Sequence, residues 1–126
     1  MYDTLTLERA ARGVVTLWLA REEKHHALSG QMIEELTHAA AELGADESVR
    51  VVVLAAKGKS ICAGGDQGWM RAQFDASPED RAREATKLAR MLQALNTLPK
   101  PLIGRVQGNA FGGGVGMVCV CDLVVG

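Results

Sequence analysis

Lys100-Pro101-Leu102-Ile103-Gly104-Arg105-Val106-Gln107-Gly108 runs directly into Asn109-Ala110-Phe111-Gly112-Gly113-Gly114, and this stretch decides the fold. Its first part reads as a strand over residues 101–107. Pro99 and Pro101 end whatever helix precedes it, because proline lacks the N–H that a helix interior needs. Its second part, residues 108–114, is a glycine-rich turn opening a small-residue helix that reaches about residue 121. Seven of the 14 glycines fall between Gly104 and Gly126. Glycine loses more conformational freedom on folding than any other residue, so such a cluster needs a reason. Close approach of backbone to a ligand, or of helix to strand, supplies one.

Working outward, residues 49–56 (VRVVVLAA) form a short β-branched run, apolar on both faces, which is the pattern of a buried parallel strand. The loop after it, residues 57–66, ends in Cys62-Ala63-Gly64-Gly65-Asp66, and a short helix follows over residues 67–74. Ser77-Pro78-Glu79-Asp80 starts the next helix, with serine as N-cap, proline in the first turn and acids at the positive end of the dipole. Ala85, Leu88, Leu92 and Leu95 mark its buried face. Toward the N-terminus, residues 4–9 and 13–19 alternate like two antiparallel strands. Residues 21–28 are a charged loop. Ser29 caps a helix whose apolar positions Met32, Ile33, Leu36, Ala39, Ala40 and Leu43 fit a 3.6-residue period, with Gly44 as its C-terminal stop. Residues 121–126 read as the opening of a buried strand. The order β, β, α, β, α, α, β, α, β predicts an α/β fold with a mostly parallel sheet and right-handed crossovers.

The 126 residues carry 48% hydrophobic and 23% charged residues, the balance of a folded globular protein rather than a disordered one. Aromatics are only 4%, so the core must be aliphatic. A net charge of -1 offers no cationic excess for nucleic acid or an anionic membrane surface. No apolar run approaches the roughly 20 residues of a spanning helix. The N-terminal residues show no secretory pattern. Three cysteines form no disulfide framework and suit a reducing compartment, so a cytoplasmic location is expected.

Both glycine loops follow parallel strands, and ligands of open α/β sheets bind beyond the carboxyl ends of strands. Phosphate patterns fail on spacing. Gly58-Lys59-Ser60 resembles the end of a P-loop, but its required earlier glycine position is Val53. For a dinucleotide fingerprint starting at Gly112, the third glycine position is Met117. Two peptide N–H groups converging on one oxygen fit better. Such an oxyanion hole serves a thioester carbonyl that becomes an enolate.

These residues resemble the enoyl-CoA hydratase/isomerase family, the crotonase superfamily, over essentially the whole chain. Ala63-Gly64-Gly65-Asp66 is similar to its AGxD motif. Residues 100–108 are similar to its KP-hydrophobic-V-x-G strand. Gly112-Gly113-Gly114 with Cys121-Asp122 is similar to its GGG…CD segment. The resemblance implies a crotonase-like (ClpP/crotonase) spiral of ββα units, with residues 1–126 as the N-terminal part of one domain. It implies an acyl-CoA hydratase whose oxyanion hole is made by the Gly65 and Gly113 amides. An acyl-CoA substrate is then expected along Lys24, Leu28, Ala63, Asp66, Gln67 and Trp69. Lys24 would meet a CoA phosphate, the backbone near Leu28 and Ala63 the adenine end, and Trp69 and Met70 either the acyl chain or plain core. No metal or separate cofactor is implied, since CoA is part of the substrate. Trimers or paired trimers are implied for the full-length protein.

One departure stands out. Many hydratases of the family carry a Glu two residues after GGG, where this chain has Gly116. A second family carboxylate comes from a later segment. These residues alone are therefore expected to be inactive. Residues 66–70 (DQGWM) look like the DxxWM of methylglutaconyl-CoA and isohexenylglutaconyl-CoA hydratases, so a branched glutaconyl-CoA substrate is favoured. An isomerase or hydrolase of the same fold, and a non-catalytic acyl-CoA binding or oligomer-interface protein, are the alternatives. Asp66 is read foremost as an acceptor of local N–H bonds. Cys62, Cys119 and Cys121 are read as packing residues. His25 and His26, taken as neighbours in an extended loop, point opposite ways, make a poor metal pair and belong to the surface or the CoA-lining loop.

Overall fold

A computed structural model describes residues 2–126. Strands β1 (Leu5–Arg9) and β2 (Val14–Leu19) form an antiparallel hairpin, and helix α1 (Gly30–Ala45) leads to β3 (Val51–Ala56). A short strand β4 (Ser60–Cys62) precedes helices α2 (Gln67–Asp75) and α3 (Pro78–Asn96). Then come β5 (Leu102–Arg105), β6 (Asn109–Ala110), helix α4 (Gly113–Cys119) and β7 (Leu123–Val125). The main sheet has the order β1-β2-β3-β5-β7, parallel from β2 onward, while β4 and β6 make a separate two-stranded parallel sheet. The α/β reading with a mostly parallel sheet holds.

The helices form where the sequence provides caps. The Ser29 hydroxyl accepts from the Met32 N–H at 3.2 Å, and the Ser77 hydroxyl from the Asp80 N–H at 3.1 Å. Met32, Ile33, Leu36, Ala39, Ala40 and Leu43 of α1 are all buried, as their period requires. They cover one face of the sheet, built from Leu17, Val52, Leu54 and Leu102, and Met91 and Leu95 of α3 complete this aliphatic core. Lys100 ties β5 to the end of α1, its ammonium donating to the Asp46 and Val49 carbonyls at 2.6 and 2.7 Å.

Several expectations need correction. Residues 57–66 and 108–114 are more than loops, because β4 and β6 lie within them. Gly44 does not stop α1. The helix runs through it to Ala45, and Gly44 instead lets Pro99 approach, with a Cβ there only 3.2 Å from the Pro99 Cδ. On α3 the buried face is Met91 and Leu95, while Ala85 is exposed because the first turns of that helix stand off the core. β7 is not buried. It is the edge strand, and Leu123, Val124 and Val125 are 58%, 43% and 46% exposed. Among the described residues no helix is long and apolar enough to cross a membrane.

Candidate active site

The two short strands bring the glycine loops together. β4 pairs with β6 in parallel, Ser60 beside Asn109 and Cys62 beside Ala110. The Phe111 N–H donates to the Cys62 carbonyl at 3.1 Å. Gly64 (φ +91°) then turns so tightly against the second loop that a Cβ on it would sit 2.7 Å from the Phe111 oxygen and 3.5 Å from the Gly113 nitrogen. Only glycine meets both conditions.

Each loop aims one peptide group. In a trans peptide the C=O and the following N–H point in opposite directions. The Gly64 carbonyl accepts from the Leu28 N–H at 2.6 Å, so the Gly65 N–H is turned away from Leu28. The Gly112 carbonyl accepts from the Val115 N–H at 3.0 Å, along α4, so the Gly113 N–H points out of the helix N-terminus. Among the described residues neither the Gly65 nor the Gly113 N–H has a hydrogen-bond partner. Both free donors thus lie in adjoining loops.

Beside Gly65 lies a cleft of about 680 Å³, lined by Lys24, His25, Ala63, Asp66, Gln67 and Arg71 among others. The structure thus gathers Lys24, Ala63, Gly65, Asp66 and Gln67 on one surface. It places two expected residues elsewhere. Leu28 is 1% exposed, and its N–H and C=O both serve the pairing with Gly64 and Asp66, so it fastens the loop and does not line the cleft. Trp69 stands behind the Gly65 loop, and a Cβ on Gly30 would lie 3.4 Å from its ring. It packs on the core, with a buried indole N–H that has no partner among the described residues. Met70 lies nearest Gly65: a Cβ there would be 3.0 Å from the Met70 sulfur and 3.7 Å from the Trp69 ring.

Asp66 behaves as a local acceptor. It caps α2 by accepting from the Trp69 N–H at 2.9 Å and pairs with Arg21 at 3.0 Å. The Trp69 N–H, then the Arg21 guanidinium, hold its carboxyl below the ordinary carboxylate value, against a partial burial that pushes it up. A carboxyl with a lowered folded value stabilises above its unfolded pKa of about 3.9, and that contribution is lost as pH falls through the folded value. Asp66→Asn is therefore expected to flatten the acid limb of a melting-temperature against pH profile. An unchanged acid limb would contradict this role.

The histidines differ from the extended-loop reading. His25 and His26 both have positive φ, 52° and 56°, because the chain coils back after a 3-10 turn. His26 is 1% exposed, so it is neither the surface nor the CoA-lining residue expected, and of the two only His25 lines the cleft. Its Nδ1 accepts from the Arg21 N–H at 3.1 Å and its Nε2 bonds the Lys57 carbonyl at 2.7 Å. Cys62 is buried, and burial pushes its thiol up, away from nucleophilic thiolate chemistry. Cys119 is exposed, contrary to its packing assignment, since it lies on the outer side of the last turn of α4. Gly116 lies one turn beyond Gly113 on α4, and a Cβ there would meet the Leu92 methyls at 3.6 Å. Sequence reading missed Arg21, which looked like one charge among many in its loop.

The fold is that of solved enoyl-CoA hydratases. A crystal structure of the enzyme from Shewanella pealeana superposes with a TM-score of 0.92 at 35% identity, over 97% of this chain and 46% of that one. One from Mycobacterium smegmatis gives 0.90 at 43% identity, over 97% and 47%. The sequence model of the enoyl-CoA hydratase/isomerase family matches residues 9–126, and the chain belongs to that family. Enoyl-CoA hydratase ACTT6 of Alternaria alternata is 36% identical over 113 residues, 90% of this chain and 36% of that protein. The chain thus spans less than half the length of these relatives.

Proposed function

We propose that the protein hydrates an α,β-unsaturated acyl-CoA thioester, with the Gly65 and Gly113 N–H groups as its oxyanion hole. The observation that carries this is the pair of unpartnered amides in loops clasped by β4 and β6. Water adds its oxygen to Cβ while the thioester oxygen takes up negative charge as an enolate. A proton then reaches Cα. Stabilising the enolate with two preset donors lowers the barrier without reorganisation.

The family resemblance implies a proton-handling carboxylate from a later segment; here Gly116 has no side chain and Asp66 is occupied by its cap and ion pair. These residues alone would then turn over little. The CoA moiety lies along Lys24, Ala63 and Gln67, supplied as part of the substrate, with no metal or separate cofactor. The DQGWM stretch and Gly116 favour a branched glutaconyl acyl group, such as 3-methylglutaconyl-CoA. The enzyme would act in the cytoplasm as a trimer or paired trimers.

The test is loss of the conjugated enoyl-thioester absorbance in the presence of the full-length enzyme, in water enriched with ¹⁸O. Label in a 3-hydroxyacyl product supports hydration. A double-bond shift without label indicates isomerisation, release of free CoA thiol indicates hydrolysis, and binding without turnover indicates a non-catalytic protein. Good turnover of crotonyl-CoA with none of 3-methylglutaconyl-CoA would overturn the narrower substrate assignment.

A further inference from the structure

The direction of the Gly65 N–H depends on a clasp of two bonds, Leu28 N–H to the Gly64 carbonyl and Asp66 N–H to the Leu28 carbonyl, at 2.6 and 2.8 Å. The pairing is an isolated bridge outside either sheet, joined on one side by the Ala63 N–H to the His25 carbonyl at 3.0 Å and the Cys62 thiol to the His26 carbonyl at 3.2 Å, but among the described residues no backbone bond joins the two segments beyond Asp66 to hold its far side. One side chain spans it. Arg21 Nη1 donates to the carbonyl of Ala27, the residue before Leu28, and Nη2 donates to the carboxylate of Asp66, the residue after Gly65. The two side chains are only 16% and 17% exposed, so solvent competes weakly for the pair. Arg21 is itself fixed at its backbone: its N–H donates to His26 Nδ1, and its carbonyl accepts from the Lys24 and His26 N–H groups, both at 2.9 Å. His26 is anchored in turn to the Lys57 carbonyl at the end of β3.

We propose that Arg21 is a positioning residue, a planar staple across the Leu28–Gly65 bridge that holds the Gly64–Gly65 peptide with its N–H toward the substrate carbonyl. This rests on the oxyanion reading above. A guanidinium suits the task because its planar fork holds donors on separate nitrogens in fixed directions, whereas the donors of an ammonium all radiate from one freely rotating nitrogen. Arg21 touches no reacting atom. Its loss lets the peptide plane rock, and misplacement of a catalytic group by about 1 Å costs on the order of 100-fold in rate.

The experiment compares wild-type full-length enzyme with Arg21→Met, Arg21→Lys and Asp66→Asn. The readouts are kcat, KM and the infrared stretch of a ¹³C-labelled thioester carbonyl in a bound saturated acyl-CoA. Asp66→Asn keeps an oxygen for the Trp69 cap while removing the charge that Arg21 grips, so it remains informative if Arg21→Met fails to fold. Arg21→Met is expected to lower kcat about 10- to 100-fold with KM within about threefold, and to return the carbonyl stretch toward its free value. Arg21→Lys and Asp66→Asn should fall between. A wild-type carbonyl without a shift would defeat the oxyanion reading itself. A wild-type shift retained in full by folded Arg21→Met, or by Arg21→Lys and Asp66→Asn together, would overturn the staple while leaving that reading intact.

Discussion

Gly113→Pro is expected to lower kcat for enoyl-CoA hydration by about 10²- to 10³-fold, or roughly 3–4 kcal/mol of transition-state stabilisation. Proline removes the N–H and nothing else that the helix needs. Gly113 is the first residue of α4, where an N–H has no intrahelical acceptor and the fixed φ of proline suits the start of a helix. The steric cost is small: a Cβ at 113 would lie 3.1 Å from one Leu28 methyl, which can shift by a few tenths of an ångström, and 4.0 Å from the Gly64 Cα.

Gly113→Ala carries the same Cβ and keeps the amide, so it measures the cost of the Cβ, while the proline adds loss of the N–H and a ring Cδ in its place. The difference between the two variants reports the donor and that ring carbon together. KM should change little in both, since the N–H gains most when charge develops on the oxygen. A proline variant that turns over within tenfold of the alanine variant would remove Gly113 from the oxyanion hole.

The parts of this fold that were legible in the sequence are those whose information is local. Ser29 and Ser77-Pro78 announce α1 and α3, and the 3.6-residue spacing from Met32 to Leu43 names a face that is buried throughout. β4 and β6, three and two residues long, are too short for any period to register. They exist because Cys62 finds Ala110, a pairing that neither segment encodes alone.

The site divides in the same way. The glycines that bear the two free amides could be named from the resemblance of their loops to the family's motifs. Which way the Gly65 amide points could not, because it is set by a distant partner, Leu28, whose N–H takes the Gly64 carbonyl; the Gly113 amide points out of the start of α4, a local feature. The same limit explains His26. Adjacent residues alternate in direction only in extended chain, and both histidines have left-handed backbone. Trp69 was open between acyl pocket and core. The side it takes follows from the space beside Gly30, which no local pattern states.

Gly114→Ala should be a severely damaging single methyl at the site. A Cβ there would lie 2.2 Å from the Cys62 carbonyl oxygen, 3.0 Å from its carbon and 3.1 Å from its Cβ. Two of these atoms are backbone, and the oxygen already accepts the Phe111 N–H that closes the β4–β6 clamp. No side-chain rotation relieves the collision, so α4 must move off β4. Overpacking of this kind costs about 3 kcal/mol, the upper part of its usual range, and a melting temperature lower by roughly 10 °C is expected. The gain from alanine over glycine in a helix, at most about 1 kcal/mol, cannot offset it. The same displacement carries the Gly113 N–H with it, so activity should fall further than stability alone explains. Gly116→Ala, two residues along the same helix, is the contrast: its Cβ meets only the Leu92 methyls at 3.6 Å, an ordinary contact, and it should melt at or slightly above the wild-type temperature. If both variants melted alike, the close seat of α4 on Cys62 would not be what joins the two loops. If only Gly114→Ala collapsed, the glycine triplet would divide into a residue that donates and a residue that lets the helix sit near enough for the donor to matter.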